Sequence, residues 1–163
     1  MKFLKWTILP AILFFILTGC PYESQYPITA ADKKINPELL GKWIKTDNME
    51  KDKPDYFQIN QLTDQMYEIL EYKMGYDSTY TQTSYIAHVS EVGETSFLNM
   101  KRDGKYYLYK LEMGNASSSF TIYEVTDNID ETFNSSEELQ KFVAKYKDLS
   151  FFYNKDEHVY LKQ

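Results

Sequence analysis

Cysteine is nearly absent: Cys20 is the one thiol in 163 residues, which excludes both a disulfide framework and a thiolate zinc cluster. Histidine is scarce too, with His88 and His158 the whole supply, too few for a zinc site of three or four N or S ligands. Arg102 is the only arginine, and 24 acidic side chains face 18 basic ones, a formal net charge of −6. A nucleic-acid surface needs a basic stripe that releases counterions, and this chain has none. Glycine is limited to six residues, with no Gly-rich phosphate loop, nucleophile elbow or paired-histidine motif. The inventory reads as non-enzymatic, with no metal or other cofactor.

The remaining candidates for acid–base or ligand chemistry reduce to bland readings. Glu68 and Glu71 stand three apart in a strand-like run, which sends them to opposite faces and prevents paired carboxylate catalysis. Asp127, Asp130 and Glu131 form an acidic loop without the glycine-bearing turn and oxygen count of a calcium site. His88, inside the alternating run Tyr85-Ile86-Ala87-His88-Val89, faces opposite to Tyr85 and Val89 and reads as a solvated or rim histidine.

At the N-terminus, Lys2 and Lys5 precede the apolar run Trp6 to Leu17, and the small residues Thr18 and Gly19 lead into Cys20. This is the order of a secretory signal. The run is shorter than the ~20 apolar residues of a membrane-spanning helix, contains Pro10, and gives way at once to polar chain. Leu17-Thr18-Gly19-Cys20 resembles the bacterial lipobox. The resemblance implies that residues 1–19 are removed, that Cys20 carries a diacylglycerol thioether, and that the protein sits in the bacterial cell envelope, anchored to the outer or the cytoplasmic membrane. Loss of Lys2 and Lys5 with the leader would take the net charge from −6 to −8. Anionic headgroups would repel such a chain, leaving the acyl chains as its hold on the bilayer.

Residues 20–37 are polar and contain three of the five prolines, Pro21, Pro27 and Pro37. This composition predicts a flexible tether, about 55 Å long if fully extended. Residues 38–163 form the folded domain. Short runs rich in Tyr, Phe, Ile and Thr recur there at intervals of about ten residues, the pattern of an antiparallel sandwich or barrel. Strands are expected near 41–47, 55–62, 65–73, 79–91, 95–102, 105–113, 118–126 and 157–162. Arg102-Asp103-Gly104-Lys105 offers an Asp-Gly hairpin turn. Period-two alternation places Phe57, Ile59, Tyr67, Ile69, Tyr85, Ala87, Val89, Leu98, Met100, Phe120 and Ile122 inside. Tyr106 to Tyr109 is apolar on both faces, so its second face should meet another element. That element is an amphipathic helix capped by Ser135 and Glu138, with Leu139, Phe142, Val143, Tyr146 and Leu149 on one stripe.

Leu39-Leu40-Gly41-Lys42-Trp43, at the start of the first long strand, resembles the Gly-x-Trp signature of lipocalin-like, or calycin, domains. The resemblance implies a mainly β fold: an antiparallel lipocalin-like barrel, closed or half-open, of about eight strands, with one C-terminal helix before the last. Gly41 would allow the tight entry and Trp43 would plug the closed end. The family's basic residue over that tryptophan is an arginine in the last strand, where this chain offers only Lys162. The implied function is non-enzymatic binding, of a small hydrophobic ligand in the cup. The alternative is an interaction or inhibitor module with a filled core that meets an envelope protein.

Overall fold

The computed structural model describes residues 22–114 and 118–163. Cys20, the lipobox residues Leu17, Thr18 and Gly19, and the rest of the leader lie outside the described residues.

Eight antiparallel strands form a closed ring: β2 (Gly41–Lys45), β3 (Tyr56–Gln61), β4 (Tyr67–Met74), β5 (Tyr80–Val92), β6 (Thr95–Arg102), β7 (Lys105–Met113), β8 (Ser119–Val125) and β9 (Tyr153–Lys162). Each pairs with the next, and the ring shuts where β9 pairs with both β8 and β2. The fold is therefore a closed lipocalin-like barrel, not a half-open one, with the helix α1 (Ser136–Tyr146) ahead of the last strand. A two-residue strand, β1 (Glu23–Ser24), is laid against the start of β7 outside the ring. Antiparallel order defines two ends. One carries a 3-10 turn at Pro37–Leu39 and the β3–β4, β5–β6 and β7–β8 turns; the other carries the 46–55 loop, the β4–β5 and β6–β7 turns and the long connection 126–152. At the β6–β7 turn Asp103 and Gly104 take φ of 52° and 81°, the left-handed pair that an Asp-Gly hairpin supplies.

Alternation sorts the side chains into two cores. Inside the ring, Phe57, Ile59, Tyr67, Ile69, Ala87, Leu98, Met100, Phe120 and Ile122 are buried, with Tyr85 and Val89 packed against them. Tyr107 belongs to this interior, whereas Leu108 points outward into a second core with Val92, Phe97, Val125, Leu139, Val143 and Phe152. The helix thus covers the outer wall of β5 to β8, and the doubly apolar β7 sits between the two cores.

Two local expectations change. Ser135 caps the helix, its Oγ accepting the Glu138 N–H at 3.2 Å. The Glu138 carboxylate reaches past Ser135 to Asn134, where it accepts both the backbone N–H (2.9 Å) and the side-chain amide (3.4 Å); two donors on one residue outweigh the single Ser135 amide. Leu149 leaves the apolar stripe, because the helix ends at Tyr146 and the chain turns there, the Leu149 N–H donating to the Tyr146 carbonyl. Phe152 fills the outer core in its place.

The larger correction concerns the expected tether. From Tyr22 onward it is not free chain but a strap along the barrel wall. The Tyr22 N–H donates to the Val125 carbonyl (3.2 Å), β1 pairs with Tyr106 and Tyr107, and Ile28 is wholly buried in the outer core. Further along, Lys33 pairs with Glu91 and the Ile35 N–H donates to the Asp64 carbonyl. The segment is polar because its hold is mostly hydrogen bonds, with Ile28 as the one deep apolar anchor.

Candidate functional site

Gly41 and Trp43 meet at the end crossed by the 3-10 turn. Trp43 is fully buried, and its Nε1–H donates to the Leu39 carbonyl at 2.8 Å, tying the plug to the turn that covers it. Lys162 pairs in register with Trp43, sets its ammonium 5.1 Å from the ring centroid and donates to the Glu38 carbonyl at 2.8 Å. A lysine here does what a basic residue over an indole can do, combining a cation–π contact with a backbone hydrogen bond. Gly41 has φ of +123°, and a Cβ there would stand 3.3 Å from Lys162 Cε. The backbone conformation calls for glycine here, and a Cβ would also press on the lysine stem beside it.

Above the plug the barrel is filled. Phe57 and Phe120 stack on Tyr160 from either side at centroid distances of 4.7 and 4.9 Å, and Trp43 meets Phe120 edge-on at 4.7 Å. What remains open toward the other end is a recess of about 210 Å³. Glu71 lines it, accepting from the Tyr85 hydroxyl (3.2 Å) and the Lys73 ammonium (2.9 Å), while Arg102 donates to the Tyr85 oxygen at 3.2 Å. Burial and the nearby Glu71 carboxylate push the Tyr85 phenol up to about 12. Glu68 points out of the barrel toward Asn60, so the two glutamates occupy opposite faces. A larger cleft of about 750 Å³ lies beside the plugged end, with Val89, Leu111 and Met113 among its walls and Lys33, Lys34 and Glu94 on its margin. Among the described residues no group of three His, Cys, Asp or Glu side chains could hold a metal ion.

The polar cluster that alternation did not reveal lies on the outer wall. Asn99 and Ser90 are completely buried beneath the strap. The Asn99 side-chain Oδ1 accepts the Ile28 N–H at 2.8 Å, its Nδ2 donates to Ser90 Oγ at 2.9 Å, and Ser90 Oγ accepts from Thr29 N–H and Oγ1 at 3.2 and 2.7 Å. His88 is not a rim residue. It is 7% exposed, with Nε2 lying 2.8 Å from the Thr29 carbonyl, an acceptor that requires the proton on Nε2. Strand parity places His88, Ser90 and Asn99 on one face, but their burial depends on a strap far away in sequence.

Burial holds the His88 imidazole below its ordinary value, opposed by the Thr29 carbonyl and by Asp32. The unfolded chain therefore binds the proton more readily, and this site's contribution is complete above about pH 6.5 and declines as pH falls through the folded value. Chemical denaturation across about pH 7 to about pH 5 should show a steeper loss of stability for the native chain than for His88→Gln, whose amide can still donate to Thr29 but does not titrate. Equal slopes would remove His88 as the cause.

These features define a closed, plugged and internally packed lipocalin-like barrel with a strapped outer wall. The chain matches no protein-family model, no curated protein and no solved structure.

Proposed function

We propose that the protein is a lipid-anchored lipoprotein of the bacterial cell envelope whose barrel is a non-enzymatic interaction module, meeting an envelope protein through its surface. The observation that carries this reading is the aromatic stack of Trp43, Phe120, Tyr160 and Phe57 across the interior. A carrier of small hydrophobic molecules needs an apolar cavity of roughly 300–1,000 Å³. The recess beyond the aromatic stack measures about 210 Å³ and has charged walls, and the cleft of about 750 Å³ beside the plug, although it reaches Val89, Leu111 and Met113, is open to solvent and lined mainly by polar and charged side chains. Neither is an enclosed apolar cavity, which favours the filled-core reading over the carrier that the lipocalin resemblance implies. The anchor and the envelope location rest on the signal order and lipobox of residues 1–20.

Native mass spectrometry of the protein extracted from its own membrane tests both parts. The expected spectrum has the mass of a chain starting at an acylated Cys20, with no bound small molecule. Titration with fatty acids should leave Trp43 emission unchanged, Trp43 being the sole tryptophan once Trp6 departs with the leader. A stoichiometric lipophilic adduct would overturn the filled-core reading, and an unacylated chain would overturn the anchor.

A further inference from the structure

Resting on the anchor reading of Cys20, we propose that the barrel end opposite the Trp43 plug is set against the bilayer, with Met49, Tyr76, Tyr80 and Phe151 in its headgroup layer. The first support is chain length. Tyr22 is hydrogen-bonded to Val125, the last residue of β8, which ends at this unplugged end. Tyr22 stands two positions on from Cys20, a span of about 7 Å when fully extended. A diacylglycerol on Cys20 therefore brings the adjoining rim close to the lipid, with no long leash to hold it away.

The second support is where apolar side chains are left in water. Single exposed apolar residues are ordinary on any surface, but here their placement is one-sided. Among the described residues the exposed large hydrophobics include Met49 on the 46–55 loop, Tyr76 and Tyr80 at the β4–β5 turn, and Phe151 just before β9. All four belong to the unplugged end. The plugged end presents Leu62, Ile86 projects from the side wall, and Leu149 lies on the return from the helix. Tyr76 is fully exposed and Phe151 is 68% exposed, so both rings stand largely in water.

The turn that carries Tyr76 is ordered in advance. Asp77 accepts from both the Thr79 N–H (3.1 Å) and hydroxyl (2.7 Å), and the Gly75 N–H donates to the Thr79 carbonyl at 2.8 Å. Little conformational entropy is lost when such a tip meets a surface. Tyrosine suits the interfacial layer because its ring is apolar and its hydroxyl remains hydrated. The neighbouring charges are mixed, Lys51, Lys53, Asp52 and Asp77 among them, so the complementary surface is zwitterionic lipid and not an anionic patch.

The anchor consumes the only native thiol, so an introduced cysteine is unique for labelling. Full-length acylated protein carrying Tyr76→Cys, Phe151→Cys or Leu62→Cys, each labelled with an environment-sensitive fluorophore, is reconstituted into phosphatidylcholine vesicles and floated on a density gradient. Positions 76 and 151 should shift to the blue and be quenched several-fold more strongly by headgroup-depth spin-labelled lipid than position 62. Flotation with water-like emission at all three positions overturns the facing while the anchor stands. Failure to float overturns the anchor, and the facing with it.

Discussion

Trp43→Ala is expected to destabilise the barrel by about 3–5 kcal/mol, the range for deleting a large buried aromatic. For a chain of this size that is a fall of roughly 10–15 °C in Tm. Four losses combine at one position. The side chain is wholly buried, so its removal leaves a cavity at the foot of the aromatic stack, and Phe120 loses its edge partner. The Leu39 carbonyl loses its indole donor and Lys162 loses the ring beneath its ammonium. Trp43→Phe separates these terms, since it keeps an aromatic in the stack but abandons the hydrogen bond; about 1–3 kcal/mol is expected for that variant. Urea denaturation followed by far-UV circular dichroism reads both. An alanine variant within about 1 kcal/mol of the native protein would show that the plug is not what closes this end.

Asn99→Ala should release the strap and leave the ring standing. Alanine deprives the buried Ile28 N–H of its acceptor and Ser90 Oγ of a donor; each buried polar group left unsatisfied costs about 1–3 kcal/mol. Because the strap lies outside the ring, its detachment does not require β2 to β9 to separate. Hydrogen exchange should therefore show peptides covering 22–31 becoming labile while those covering β3 to β6 keep their protection. Persistent protection of 22–31 would mean that the burial of Ile28 and the β1–β7 pairing hold the strap without Asn99.

Strand positions were legible because most strands turn one face to the barrel interior and bury its central residues there, which keeps period-two alternation readable. Observed limits fall within one or two residues of expectation except in β9. That strand begins at Tyr153 instead of residue 157, because Val125 pairs with Tyr153 across a bulge and the stretch Asn154-Lys155 has no apolar alternation to announce it. Gly41 and Trp43 were legible as a pair, and the role of Lys162 was settled by register, which a linear sequence does not contain. The strap was illegible for a different reason. Its prolines and polar side chains are those of free chain, and its hold depends on Asn99, Ser90 and His88, about 60 to 70 residues downstream. Burial of polar side chains by a distant segment leaves no periodic trace, so His88 looked like a rim residue.

The join between β2 and β9 has one more effect. A sheet that ends in bare strands offers a row of unpaired amides and carbonyls on which a second chain can template, the usual route to strand exchange and fibrils. Here every long strand has a neighbour on each side, and β1 occupies part of the β7 margin left beyond the reach of β8. Among the described residues the stretches left open to main-chain pairing are short, such as Tyr80–Tyr85 where β5 runs on beyond β6, so assembly between crowded copies would draw mostly on side chains.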